Sequence, residues 1–261
     1  MKPIRAKKKL GQHFLTDLNI ARRIVDTLDF KNYKRVLEIG PGMGVLSQFI
    51  ISKTNDLYLI EVDKESVKYL KKKYTELESN IIEGDFLKID LKERLGEKSY
   101  AIIGNFPYNI STQIVFKTLN HRNQIPFFSG MFQKEVAERI CEPPGSKKYG
   151  ILSVLTQLFY KTDFLFKVPP SVFRPQPKVD SAVIRLVRKE NFDLDCDEKL
   201  LFKIVKLSFQ QRRKTIRNSL KILNIPKKLT EDTIFDSRPE NLSGSDFVQL
   251  TKRIDHGNIS N

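Results

Sequence analysis

The amino-acid sequence predicts an α/β protein with a parallel, Rossmann-like sheet and a small all-helical C-terminal domain. Short apolar runs alternate with helical periodicity over the first two-thirds of the 261-residue chain, and the pattern then becomes helical alone. This alternation is typical of a parallel sheet, because each helix returns the chain to a neighbouring parallel strand. A chain of this length can bury a sizeable core without disulfides or metal.

Five short apolar runs predict the parallel strands. They occupy residues 35–39, 57–60, 80–82, 100–103 and 127–132. Helical periodicity covers residues 64–77 and also precedes the first strand, where Thr16 can cap a helix. The apolar face of that helix comprises Leu18, Ala21, Val25 and Leu28. Residues 163–168 and 181–187, on either side of a proline-rich loop, predict two more strands at a partly antiparallel edge.

A polar and charged stretch at residues 188–198 lacks both periodicities, and we place a domain boundary there. The prediction assigns residues 1–188 to the first domain and residues 189–261 to the helical domain. One predicted helix of the second domain has an apolar face formed by Leu200, Leu201, Ile204, Val205 and Phe209. Another runs through Ile216, Leu220 and Leu223.

Charge and cysteine content restrict the class of protein. The net charge of +15 predicts a polyanionic partner, with nucleic acid favoured over an anionic membrane surface. Cys141 and Cys196 lie far apart and outside any CxxC spacing, so neither a disulfide framework nor a metal site is expected. No apolar run approaches the ~20 residues of a membrane span, and no signal-peptide core follows the basic N-terminus. We expect a cytoplasmic protein without membrane association.

The most informative motif is EIGPGMG at residues 38–44, directly after the first strand. Gly40, Gly42 and Gly44 allow a sharp turn and a close approach to a ligand at the carboxyl edge of the sheet. Val45 stands where a dinucleotide-binding motif has glycine, so a pyrophosphate site is not indicated. The chain also lacks a GKS or GKT phosphate loop, which disfavours nucleotide hydrolysis.

Carboxylates follow the next two strands. Glu61 lies where a carboxylate can accept both hydroxyls of a ribose, and Asp85, followed by Phe86, lies where one can meet an adenine amino group. Because the ends of successive strands converge on one crevice, the pattern predicts an adenosine cofactor without a pyrophosphate. S-adenosylmethionine is the common one, so the predicted sheet is that of a class I methyltransferase.

The fourth strand leads into NFPY at residues 105–108. Adenine N6 is a poor nucleophile because its lone pair is delocalised into the ring. The Asn105 amide oxygen and the Phe106 carbonyl can accept the two N6 hydrogens and favour a pyramidal nitrogen. Pro107 stiffens the loop, and Tyr108 can stack on a base turned out of its helix. The loop therefore predicts methylation of adenine.

Several motifs, in register over nearly the whole chain, resemble the small-subunit ribosomal RNA adenine dimethyltransferase family, the KsgA type. They comprise the glycine loop, Glu61, Asp85-Phe86, NFPY, KLGQHFL at residues 9–15, FRPQPKVDSA at 173–182 and QRRKTIRN at 211–218. The resemblance implies dimethylation of two adjacent adenosines near the 3′ end of small-subunit rRNA, within the immature small ribosomal subunit. We expect a monomer.

The resemblance also implies roles for particular residues. The cofactor would be bound by Gln12, His13, Leu15, Gly40, Gly42, Gly44, Glu61, Asp85, Phe86 and Asn105. Phe173 would face Tyr108 across the target base. Family members often carry Asn at position 13, but His13 can still donate to the methionine carboxylate.

Basic residues near the N-terminus and in the C-terminal domain are the candidates for binding RNA. They are Lys7, Lys8, Lys9, Arg212, Arg213, Lys214 and Arg217. At helical spacing, Arg213 and Arg217 would share a face and meet RNA phosphates. The alternative is a solvated helix face with salt bridges to nearby acidic residues.

Three other functions are considered. A large-subunit rRNA methyltransferase of the erythromycin-resistance type shares the cofactor and loop motifs, but residues 133–136 and 211–218 favour the small-subunit family. A release-factor glutamine methyltransferase would normally carry NPPY, and Phe106 departs from that motif. A non-catalytic RNA-binding assembly factor can share this fold. It would have no physical need for the complete set Gly40, Glu61, Asp85, Asn105 and Tyr108.

Overall fold

The structure is a computed structural model that describes residues 4–191 and 193–259, with side chains described as far as residue 255. The strands of this part are β1 (Phe14–Leu15), β2 (Arg35–Ile39), β3 (Leu57–Glu61), β4 (Ile81–Glu83), β5 (Tyr100–Asn105), β6 (Phe127–Gln133), β7 (Tyr160–Val168), β8 (Phe173–Arg174) and β9 (Ser181–Arg188). The α-helices are α1 (Leu18–Val25), α2 (Ser47–Ile50), α3 (Lys64–Lys73), α4 (Leu91–Leu95), α5 (Ser111–Asn120), α6 (Lys134–Cys141), α7 (Ile151–Phe159), α8 (Glu198–Gln210), α9 (Ile216–Ser219), α10 (Lys227–Thr230) and α11 (Gly244–Ile259). Short 3-10 helices occupy Lys8–Leu10, Thr75–Asn80, Pro170–Val172, Lys221–Leu223, Thr233–Asp236 and Pro239–Asn241.

Seven strands form one sheet in the order β4-β3-β2-β5-β6-β9-β7. The first five in that order are parallel, and β9 runs antiparallel to β6. The predicted α/β class is confirmed, including the partly antiparallel edge. Because the parallel strands all end at one edge, the residues that follow them are brought together there.

The central strands are buried on both faces. All five residues of β2 are buried, as are the first five of β5. Strands covered on both sides are continuous apolar runs, which explains why the sequence shows them clearly. The sequence did not reveal a second, two-stranded sheet, in which β1 pairs with β8 and Leu15 lies opposite Phe173.

Two details of the predicted helices are wrong. Asp17, not Thr16, caps α1, because the Asp17 carboxylate accepts the N–H groups of Asn19 and Ile20. The Thr16 hydroxyl instead donates to the Val172 carbonyl at 2.8 Å. The predicted apolar face is also only partly buried, since the Leu18 side chain is 53% exposed.

The chain divides into two compact units that differ from the predicted domains. The first contains Met1–Ala137 and Lys161–Arg188, and the second contains Glu138–Tyr160 and Lys189–Asn261. The break after residue 188 was predicted, but the assignment of residues 138–160 to the second unit was not. These residues include α7, which approaches α11 so closely that a Cβ on Gly244 would lie 2.8 Å from Leu158 Cδ2.

No helix within the described part of the chain is both long and apolar enough to cross a bilayer.

Candidate active site

A cavity at the carboxyl edge of the sheet contains most of the predicted site residues. Those that line it are Gln12, His13, Leu15, Gly40, Gly42, Glu61, Asp85, Phe86, Asn105, Phe106, Pro107 and Tyr108. Glu38, Met43 and Val62 also line the cavity, although the sequence pattern assigned them no role. Gly44 and Phe173 are predicted site residues that do not belong to the lining.

The glycine loop forms one wall of the cavity. Gly40, Gly42 and Gly44 adopt φ angles of +67°, +56° and +73°, a backbone conformation that favours glycine. At Gly42 an added Cβ would also lie 2.9 Å from Phe14 Cε1. A Cβ at Gly44 would instead meet Tyr74 Cε2 at 2.7 Å, so this glycine accommodates a packed ring and not a ligand.

Glu61 is a buried carboxylate that can accept further hydrogen bonds. Its side chain accepts the Gly42 N–H at Oε2 and the Asp63 N–H at Oε1, both at 2.9 Å. Burial raises the pKa of Glu61, while the N–H groups of Asp63 and Gly42 oppose that rise. Since each carboxylate oxygen can accept more than one hydrogen bond, both remain able to accept a ribose hydroxyl.

Glu38 is a second buried carboxyl group on the cavity wall. It is 1% exposed and accepts the Ser47 hydroxyl at 2.6 Å. Burial raises its pKa to about 8, and the nearby Glu61 adds to the rise. This shift of the pKa favours the neutral form of Glu38. The available sequence signal was an acidic residue at position 38, inside a predicted buried strand and directly before the glycine loop.

Asp85 lies on a loop that is held in place by hydrogen bonds from α5. Its Oδ1 accepts the Leu87 N–H at 2.9 Å. The Lys117 ammonium group, on α5, donates to the Phe86 carbonyl at 2.7 Å and to the Ile89 carbonyl at 2.5 Å. Asp85 Oδ2 forms no hydrogen bond with a described residue, so it can accept one from an amino group.

The Asn105 side chain is oriented by the backbone of His13. Its Nδ2 donates to the His13 carbonyl at 2.9 Å. A carbonyl can only accept, so this contact fixes which end of the amide is nitrogen. The Asn105 Oδ1 has no partner within the described residues and remains available as an acceptor beside the cavity.

The loop after Asn105 is anchored through Phe106. The Phe106 ring is 1% exposed and lies 5.0 Å from the Phe128 ring and 5.1 Å from the Phe132 ring. Glycine is required at position 130, since a Cβ there would overlap the Phe106 ring. This packing fixes the position of Phe106, which is one of the residues that line the cavity.

Tyr108 is stacked on His13, not opposite Phe173. The two rings lie 5.4 Å apart at 26°, and the Tyr108 hydroxyl is 2.5 Å from the Ser181 hydroxyl. His13 Nδ1 donates to the Pro175 carbonyl at 2.7 Å. Phe173 is fully buried in the hydrophobic core, because the pairing of β8 with β1 directs it inward. The predicted placement of Phe173 across from Tyr108 is therefore wrong for this structure.

A second cavity lies beside the first and shares Gly11, Gln12, His13 and Tyr108 with it. Its remaining walls are formed by Ala6, Lys8, Gln133, Pro175, Gln176, Pro177, Lys178 and Val179. Two lysines and three side-chain amides give this cavity donors for phosphate and for base edges. These donors lie next to the loop that begins at Asn105, because Tyr108 of that loop lines both cavities.

The predicted RNA-binding residues differ in their exposure and in the groups that they contact. Lys7 contacts Asp63 and Glu65, whereas Lys8 and Lys9 are exposed. In the second unit, Arg212 Nη2 donates to the Ser146 carbonyl at 3.2 Å.

Arg213 and Arg217 do not share a helix. Residues 211–214 form a turn, because α8 ends at Gln210 and α9 begins at Ile216. The prediction of a common helical face is therefore wrong. Arg217 forms an ion pair with Asp236 at 2.7 Å, which is the alternative that the sequence analysis left open. Arg213 and Lys214 are exposed.

Comparisons with known proteins agree with this site. Residues 4–255 match the model of the family described as "Ribosomal RNA adenine dimethylase". The "Ribosomal RNA small subunit methyltransferase A" of Flavobacterium johnsoniae is 59% identical over 255 residues, covering 98% of each chain. The protein of the same name from Bacteroides thetaiotaomicron is 53% identical over 256 residues, covering 98% of this chain and 96% of its own.

Two solved structures are similar over nearly the whole chain. A dimethyladenosine transferase from Plasmodium falciparum superposes with a TM-score of 0.82 at 27% identity, covering 94% of this chain and 98% of its own. The 23S rRNA methyltransferase ErmE superposes with a TM-score of 0.71 at 25% identity, covering 93% of this chain and 99% of its own.

Proposed function

The chain belongs to the ribosomal RNA adenine dimethylase family, and from that premise we propose that it dimethylates N6 of two adjacent adenosines near the 3′ end of small-subunit rRNA. We further propose that it acts as a monomer on the immature small ribosomal subunit. The relatives that share 53–59% identity carry the small-subunit name, which favours this substrate over the large-subunit alternative.

The free Oδ1 of Asn105 is the observation that carries the proposal. The Asn105 Nδ2 is committed to the His13 carbonyl, so Oδ1 can accept a hydrogen from an adenine N6. The Phe106 carbonyl follows it in the chain and can accept the other hydrogen. Two acceptors at adjacent positions concentrate electron density on the amine as it attacks. Both groups are held before substrate arrives, because the Phe106 ring is packed among aromatic side chains.

The cavity fits S-adenosylmethionine, which would supply an activated methyl group when bound. Glu61 can accept two ribose hydroxyls, and Asp85 Oδ2 can accept from an adenine amino group. The glycine loop leaves room for close approach of a ligand, and Phe86 and Val62 offer apolar surface for a ring. Val45 lines the cavity at the position where a dinucleotide-binding motif has glycine, so the lining suits this cofactor better than a dinucleotide.

The RNA would enter from the second cavity. Tyr108 lines both cavities, so a base turned out of the RNA can meet this ring on its way to Asn105. Lys8 and Lys178 can bind the flanking phosphates. In the second unit, the exposed Arg213 and Lys214 are the better candidates for phosphate contacts than Arg217, whose guanidinium is paired.

A direct test uses small ribosomal subunits from cells that lack this protein. Incubation with the protein and labelled S-adenosylmethionine should introduce four methyl groups, two on each of two adjacent adenosines, detected by mass analysis of rRNA fragments. A parallel incubation contains the large ribosomal subunits of the same cells, and label in their rRNA instead would support the erythromycin-resistance alternative. Tight binding to the particles without any transfer would show a non-catalytic assembly factor.

A further inference from the structure

Residues 7–15, the N-terminal segment, form one wall of the cofactor cavity. The cavity is lined along this segment from Leu10 to Leu15. The downstream end is fixed because Phe14 and Leu15 pair with β8. Gly11 turns the segment with φ +62°, where a Cβ would lie 2.5 Å from Asn109 Oδ1. The position of the wall therefore depends on what fixes its upstream end.

Lys7 fixes the upstream end. Its Nζ lies 2.5 Å from Asp63 Oδ1 and 3.0 Å from Glu65 Oε1. Its backbone N–H donates to Gln12 Oε1 at 2.8 Å. The Asp63 side chain is only 2% exposed, whereas that of Glu65 is 64% exposed. Exposed ion pairs contribute little, so the buried Asp63 is the important partner.

Asp63 connects this contact to the proposed ribose acceptor. Its backbone N–H donates to Glu61 Oε1 at 2.9 Å, and its side chain accepts the Glu65 N–H and the Ser66 hydroxyl. Burial raises the pKa of Asp63, but the hydrogen bonds from Lys7, Glu65 and Ser66 outweigh it and keep the pKa below its usual value. The carboxylate is therefore charged at neutral pH and able to hold the ammonium group.

We propose that Lys7 is a positioning residue that fastens the N-terminal segment over the cofactor cavity and slows the escape of bound cofactor. This inference rests on the proposed function, because it requires S-adenosylmethionine in that cavity. A continuous series of contacts joins Gln12 to Lys7, Lys7 to Asp63, and Asp63 to Glu61. Each methyl transfer requires one exchange of cofactor. When Lys7 separates from Asp63, the upstream end of the N-terminal segment is released, while Glu61 keeps its hydrogen bond to Gly42. Lys7 is thereby assigned to the cofactor side of the site and not to RNA.

The test compares Lys7→Met with Lys7→Arg and with a matched control, Lys68→Met, which removes an exposed lysine from α3. The dissociation rate of S-adenosylhomocysteine is measured by stopped flow without RNA. We expect Lys7→Met to raise that rate at least about fivefold, the low end of ordinary coupling between sites. Lys7→Arg should restore most of the retention, and Lys68→Met should match the parental protein. In steady state, Lys7→Met should raise the KM for cofactor, and Lys7→Arg should return that KM towards the parental value.

Hydrogen exchange separates this inference from the proposed function. In ligand-free protein, the amides of residues 8–15 should exchange faster in Lys7→Met than in the parental or Lys68→Met proteins. Unchanged exchange would overturn the fastening role, as would a parental dissociation rate in Lys7→Met or an equal defect in Lys7→Arg. A parental protein that binds no S-adenosylhomocysteine, although Lys7→Met accelerates exchange, would overturn the proposed function and leave the fastening contact standing.

Discussion

The two cavities of the first unit are built differently although they share a wall. In the cofactor cavity, Glu61 and Glu38 are buried and already hydrogen-bonded to neighbouring groups. Around the second cavity, Lys8, Lys178 and Val179 are exposed. In terms of the proposed function, the groups assigned to the cofactor are held in place before it binds, whereas the exposed side chains assigned to RNA are less constrained. Substitutions on the two sides should therefore fail in different ways.

The largest effect is expected where the two sides meet, at Asn105. Asn105→Ala removes the free Oδ1 acceptor, and methyl transfer should fall by roughly 10²–10³, as for loss of one preorganised group in an active site. Cofactor affinity should change little. Single-turnover kinetics on small-subunit particles measure the rate, and calorimetry measures the affinity. Asn123→Ala, at an exposed position away from the cavity, provides the control; a parental rate in Asn105→Ala would refute its catalytic role.

On the cofactor side, Glu61→Ala should weaken S-adenosylmethionine binding by roughly ten- to a hundredfold, the range for hydrogen bonds to a charged group. The loss should be seen without RNA, because the site is formed in its absence. Calorimetry of the folded variant provides the measurement. An unchanged affinity would mean that the ribose binds elsewhere.

On the RNA side, Tyr108→Ala should impair turnover more than cofactor binding, since stacking on an aromatic ring contributes ~1–3 kcal/mol per base. Phe173→Ala should behave differently, because Phe173 is fully buried. Loss of a buried Phe side chain commonly lowers the free energy of unfolding by about 3–5 kcal/mol. Thermal denaturation of both variants distinguishes the roles. A stable Phe173→Ala protein with a selective defect on RNA would show that Phe173 leaves the core to meet the base.

In the second unit, Arg213→Glu combined with Lys214→Glu should weaken binding to small-subunit particles and reduce its dependence on salt. Arg217→Gln should have a smaller effect, because Asp236 already neutralises that guanidinium. Affinities measured over a salt series test both statements. Equal losses in the two proteins would indicate that Arg217 leaves Asp236 to bind RNA.

The smallest effect concerns Glu38 and pH. Its pKa is about 8 in the folded protein and 4.5 in its ordinary state, so the folded protein binds the extra proton. The contribution of Glu38 to the free energy of unfolding is therefore complete below pH 4.5, where the carboxyl group is protonated, and is lost as the pH rises through about 8. Relative to the parental protein, Glu38→Gln should therefore gain stability between these values. A difference in the free energy of unfolding between Glu38→Gln and the parental protein that stays constant over this pH range would contradict the burial of a neutral Glu38.

The sequence predicted the features that depend on local pattern. Buried parallel strands are continuous apolar runs, and polar residues at their ends, such as Glu61, Asp85 and Asn105, converge because parallel strands share an edge. Features that depend on distant contacts were missed or mistaken. The inward direction of Phe173 follows from the pairing of β8 with β1, and Lys7 meets Asp63 only because the N-terminal segment crosses the cavity.

The central claim is that cofactor binding and catalysis are carried by different groups within one cavity. It is tested most directly by measuring S-adenosylmethionine affinity and single-turnover rate on the same preparations of Glu61→Ala and Asn105→Ala. We expect a crossed pattern: Glu61→Ala loses affinity and recovers much of its rate at saturating cofactor, whereas Asn105→Ala keeps affinity and stays slow at any cofactor concentration. If both folded variants lose affinity and rate in the same proportion, the separation of roles is contradicted.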